Sequence, residues 1–139
     1  MTPESNKQLL RRFVDEVINA RDLAAIDRLA ASEFVEHVPL PELGPGREGL
    51  RDAIGTFLAA FPDLRWRIEQ QVAEGDTVVS RFTWTGTHRG PFLGVSPTGE
   101  PVQVWGAVID VVRNGLLAES RIIMDTLGLM RQLGAIPGE

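Results

Sequence analysis

Apolar residues recur at helical spacing in the first part of the chain and at alternating spacing in the second. Over residues 5–20, Leu9, Leu10, Phe13, Val14, Val17 and Ile18 fall on one helical face, and Ser5 with Gln8 fits a capping box. Asp22 is placed to cap a second, short helix with apolar positions Leu23, Ile26, Leu29 and Ala30. LPELGPG reads as a loop. A third helix near 47–60 carries Leu50, Ile54, Phe57 and Leu58, with Pro62 just past its end as a stop. From Leu64 the period is two. RWRIEQQV, TVVSRFTWTGTH, VQVWGAVIDVV and LLAESRIIM read as four strands, and RNG is a strong hairpin signal. RGPFLGVSPTGE separates the second and third strands as a loop, and TLGLMRQLGAI closes the chain as a short helix.

Three helices followed by an antiparallel meander predict an α+β fold, with the helices covering one face of a strongly curved sheet. A sheet curled around a helix has a concave face that helices do not fill completely. The leftover volume is a mostly apolar cavity, the usual form of a small-molecule site.

Length and composition narrow the function classes. At 139 residues the chain is expected to be one domain, 1–139, with a core of useful size. A net charge of −5 argues against a nucleic-acid partner, which needs clustered Lys and Arg. There is no Cys, so thiolate chemistry and sulfur-ligated metals are excluded, and with two His a multi-histidine metal site is not expected. No Tyr is present, which excludes a phenolic acid or oxyanion donor. The first residues lack a signal-peptide core, and no apolar run reaches the ~20 residues of a membrane span, so a cytoplasmic location without a membrane partner is expected. GTHRGPFLG follows a strand without leading into a helix and is no nucleotide fingerprint. The reaction, if there is one, is expected to need no cofactor and no metal.

Three segments carry a resemblance to a known family: FVEHVPLPELGPGREGLRDAIGTFLAAFPDLRW, TWTGTHRGPFLGVSPTGEPVQVWG and MDTLGLMRQLGAIP. Taken in order they cover nearly the whole chain and resemble the SnoaL-like polyketide (ester) cyclases, which have the nuclear transport factor 2-like cone fold. The resemblance implies three helices against a bent antiparallel sheet around an internal cavity, usually in a homodimer or homotetramer. It also implies cofactor-free ring closure of a polyketide-like substrate. The family's catalytic acid/base is an Asp just before a motif similar to LGLMRQLG, and Asp125 matches that position. Family members with that chemistry carry a His two residues earlier, where this chain has Ile123. Many relatives read Glu-His-Trp where this chain has Glu119, Ser120 and Arg121.

Asp125 therefore has two readings, as N-cap of the last helix or as a general base in the cavity. Counting by twos, Arg121 shares its strand side. His37, in EFVEHVP, is either structural or a proton donor at the pocket mouth, as the resemblance implies. His88 shares a side with Phe82 and Trp84 and reaches the cavity if that side is concave. Trp66, Trp84 and Trp105 are sheet aromatics, of which at least one is expected to line a cavity for a small apolar or aromatic ligand, Trp84 being preferred. Asp110, inside AVIDVV, reads as an edge or rim residue. Exposed β-branched residues such as Val79 and Thr83 on the outer sheet face suggest the oligomer contact. The leading expectation is a cyclase with Asp125 as base, His37 or His88 as electrophilic partner, and Arg121, Trp66, Trp84 and Trp105 contacting substrate. The alternatives are an isomerase, an epoxide hydrolase built on Asp125, Arg121 and Asp110, or a non-catalytic small-molecule binding protein.

Overall fold

The computed structural model describes residues 2–136. Helix α1 (Pro3–Arg12) starts two residues earlier than the periodicity predicts, because Thr2 and Ser5 form the capping box: the Ser5 N–H donates to Thr2 Oγ1 at 3.0 Å and the Thr2 N–H donates to Ser5 Oγ at 2.8 Å. The helix continues without a break as a π-helical segment, Phe13–Asn19, which keeps Phe13, Val17 and Ile18 buried. Its last residue, Asn19, takes the place of a neighbouring strand. Its amide donates to the Trp66 carbonyl at 2.8 Å and accepts the Trp66 N–H at 2.9 Å.

A 3₁₀ turn at Leu23–Ala25 leads into α2 (Ile26–Leu29). Asp22 makes no side-chain cap there and pairs with Arg28 at 3.4 Å instead. Helix α3 (Arg47–Ala60) lies where its periodicity predicts and buries Ile54, Phe57 and Ala60. The last helix, α4 (Thr126–Gln132), follows the sheet.

The sheet has five strands, not four. β1 (Ala30–Glu36) pairs in parallel with β5 (Leu116–Met124), so the sheet is mixed rather than wholly antiparallel. β2 (Arg65–Glu74), β3 (Thr77–Thr87) and β4 (Pro101–Arg113) complete the spatial order β1-β5-β4-β3-β2. Register shifts between Ile68 and Gln70 and between Val111 and Val112 help bend the sheet. Side chains at even positions of β3 and β4 point to the concave face; in β5, where the register shifts against β4, Leu117 and Ser120 do so. There Val78, Phe82, Trp84, Val104 and Val112 join Leu9, Phe13, Ile54 and Phe57 of the helices in one core. The outer face carries the odd positions of β3 and β4 and of the second half of β5, where Trp105 is 57% and Ile123 65% exposed.

Candidate active site

Between the concave face, the π-helical segment, α3 and the loop after β1 lies a cavity of about 440 Å³, a size typical of small-ligand sites. Its walls are mostly apolar, with aromatic surface from Phe13, Phe57, Trp66 and Phe82. Trp66 and Phe82 lie 4.4 Å apart between ring centroids, and Phe57 meets Trp66 edge-on at 5.7 Å. The polar side chains include Glu36, Ser80, Asp110 and Ser120; among the described residues no Lys, Arg or His lines the cavity.

Three of these polar groups form a row across three adjacent strands. Glu36 on β1 lies opposite Ser120 on β5, and Ser120 lies opposite Asp110 on β4. Glu36 stands at the end of its strand. One of its oxygens accepts the Ile122 N–H at 3.2 Å, extending the β1–β5 ladder with a side chain, and also accepts the Val38 N–H at 3.1 Å. Burial pushes this carboxyl above its ordinary value, while the two backbone N–H groups and the nearby charges of His37 and Arg121 hold it back.

Asp110 is the most perturbed group described. It is 1% exposed. Ser120 Oγ donates a short hydrogen bond to Asp110 Oδ1, and Oδ2 has no partner among the described residues. Burial pushes its carboxyl from 3.8 up to about 7; the Ser120 hydroxyl opposes the rise and the charge of Glu36 adds to it. A carboxyl poised near neutrality, with one oxygen unpartnered beside an apolar cavity, can both take up and return a proton at physiological pH.

The model of the SnoaL-like polyketide cyclase family matches residues 8–133. The chain belongs to that family. No curated protein matches it significantly. Among solved structures it is similar to TsrD from Streptomyces laurentii, at 34% identity over 98% of this chain and 99% of that one, with a TM-score of 0.88. IdmH from Streptomyces antibioticus, a candidate polyketide cyclase, is 31% identical over 93% of this chain and 98% of its own, with a TM-score of 0.80. AclR from Streptomyces galilaeus, a candidate hydroxylase, is 27% identical over 99% of this chain and 86% of its own, with a TM-score of 0.86.

Within this SnoaL-like fold, Trp66 is the one residue of the expected cyclase site that lines the cavity. Asp125 is exposed, caps α4, and accepts the Gly128 N–H at 2.9 Å. Its carboxylate lies so close over the first turn of α4 that a Cβ on Gly128 would sit 2.2 Å from Asp125 Oδ2. Arg121 and Trp105 point outward from odd strand positions, so neither faces the cavity. Asp125, Arg121 and Asp110 consequently do not converge, which removes the basis for the Asp-Arg-Asp epoxide-hydrolase arrangement.

His37 sits on the outer side, its Nε2 2.8 Å from Glu119 Oε1, and Glu119 in turn pairs with Arg113. His88 is fully buried beneath residues 88–100. The Thr98 N–H donates to its Nδ1 at 3.2 Å, which makes Nδ1 the acceptor and leaves the proton on Nε2. Phe61 packs on the ring at 5.5 Å, so this imidazole anchors a loop and is not on the cavity wall. Trp84 is buried behind the wall, stacked 6.3 Å from Trp66. Asp110, read from the sequence as a rim residue, is instead central, because β4 runs between β3 and β5. Its signal was present: a lone acid with apolar residues on both sides. Glu36 and Ser120 had no comparable signal, since each sits in a mixed polar segment. Among the described residues no group of three or more His, Asp and Glu could hold a metal ion, and no helix is long and apolar enough to cross a membrane.

Proposed function

We propose that this chain is a cofactor-free cyclase that closes a ring in a small natural-product-like carbonyl compound, with Asp110 as the acid/base group. Family membership supports the reaction class. The observation that carries the residue assignment is the place of Asp110 in the cavity lining, with its Oδ2 buried and unpartnered. In its ionised form Asp110 takes a proton from the carbon next to a carbonyl, and the C–H electron pair becomes an enolate. The enolate carbon attacks a second carbonyl of the same bound molecule. A C–C bond forms, the carbonyl π pair moves to oxygen, and the proton on Asp110 returns to that alkoxide. Ser120 holds Oδ1 and leaves Oδ2 to carry the proton. The apolar walls keep the reacting groups folded together, and such proximity contributes several kcal/mol.

Proton removal can be tested without the native substrate. β-Tetralone, a bicyclic ketone with acidic α-hydrogens, exchanges them for deuterium in D₂O, and NMR follows the loss. The protein should accelerate this exchange. Asp110→Asn should lower the acceleration by ~100-fold, the scale of general-base catalysis. No acceleration by the wild type, with the ketone bound, would favour the ligand-binding alternative.

A further inference from the structure

The cavity carries two carboxyl groups and, among the described residues, no positive side chain to meet them. Charges withdrawn from water are ordinarily paired, because desolvation without a partner costs several kcal/mol. Glu36 has only backbone N–H donors among its hydrogen bonds, and Asp110 has only the neutral Ser120 hydroxyl. His37 and Arg121 act on Glu36 through space, ranking last among the influences on it. Asp110, 1% exposed and with its Oδ2 unpartnered, lines the same space. The remaining wall includes four aromatic rings, Phe13, Phe57, Trp66 and Phe82, whose π faces attract cations and repel anions.

We propose that the molecule this cavity accepts is a protonated amine, its ammonium nitrogen bonded to Glu36 and its apolar body laid against the Trp66–Phe82 wall. This rests on the reading of the cavity as the catalytic site and names its substrate class. The ammonium supplies the missing counter-charge. It also removes the repulsion that Glu36 exerts on Asp110, and so favours the ionised form of Asp110 needed to take a proton. An anionic substrate would meet two carboxyls and no cation, and is excluded.

Three probes of one shape separate the cases: naphthylethylamine, naphthylethanol and naphthylpropionate, titrated by calorimetry into the full chain at pH 8. The amine should bind at least about tenfold more tightly than the alcohol, the strength of a partly desolvated charge-assisted contact, and the propionate should not bind. Glu36→Gln keeps an acceptor oxygen for the Val38 and Ile122 N–H groups. It should bring amine and alcohol to within about twofold while leaving the alcohol's affinity unchanged. The proposal is overturned if the alcohol or propionate matches the amine, if none of the three binds, or if Glu36→Gln keeps the preference. Should the variant lose alcohol binding as well, the wild-type order of the three probes decides. Tetralone exchange needs no cation and reports on Asp110 separately. Exchange that depends on Asp110, alongside equal binding of amine and alcohol, would sink the substrate class and leave the catalytic reading intact.

Discussion

Replacing Asp110 by Asn should change how stability responds to pH more than it changes stability at any one acidic pH. In the unfolded chain the carboxyl ionises near its ordinary value of 3.8; in the folded chain it does so at about 7. Between those values the folded protein holds a proton that the unfolded chain has released. Stability therefore falls as pH rises through this window, and above about 7 the full penalty is present. Moving from 3.8 to about 7, at ~1.4 kcal/mol for each tenfold change in proton affinity, amounts to ~4 kcal/mol. Asn retains an acceptor for the Ser120 hydroxyl but cannot ionise, so the variant lacks this penalty. Its amide places an unpartnered N–H near the former Oδ2, which costs roughly 1–3 kcal/mol at every pH and cancels when two pH values are compared. Urea unfolding of both proteins at pH 4 and pH 8 measures the effect. The stability difference should move by ~4 kcal/mol in favour of the variant between those conditions. Carboxylates such as Asp63 and Glu119, which are held below their ordinary values, contribute equally to both proteins and drop out. Parallel curves for the two proteins would refute a buried, raised Asp110.

Three further outcomes follow from the same geometry. Asp125→Asn should leave tetralone exchange within about twofold of wild type, and Asp125→Ala should lose about 1 kcal/mol of stability as a missing cap; a ~100-fold loss of exchange in Asp125→Asn would return the base to that residue. Ser120→Ala removes the hydrogen bond that holds Asp110 down, so the midpoint of exchange activity should move to higher pH, and a midpoint moving down would contradict the assignment. The outer sheet face exposes Trp105, Ile109, Ile123, Val72 and Val79, although Thr83 on that face is covered, and it is the proposed homodimer surface. Light scattering should find a dimer at micromolar concentration and a monomer for Trp105→Asp; a wild-type monomer would remove this claim.

Period and punctuation carried most of the fold. α3, the four antiparallel-paired strands and α4 lie where helical spacing, alternation and turn residues place them. β1 was missed because its pattern, AASEFVE, alternates poorly and its partner β5 lies some eighty residues away in sequence. Which side chains face the cavity was not legible for a related reason. Glu119, Arg121 and Ile123 do share a side, but alternation alone does not say which side of a curved sheet is concave. Sheet order settles it, since it brings Glu36, Ser120 and Asp110 into one row on the inner face. Sheet order also made Asp110 central. The motif around Asp125 marked the family correctly, while its side chain does the local work of a helix cap.

The most direct test of Asp110 as the working base is the pH dependence of tetralone exchange in the wild type and Asp110→Asn. The wild-type rate should climb to a plateau with its midpoint near the value of about 7 to which burial pushes this carboxyl. Asp110→Asn should run flat, ~100-fold below the plateau. A variant that keeps both the wild-type midpoint and the wild-type plateau would contradict the assignment of catalysis to Asp110.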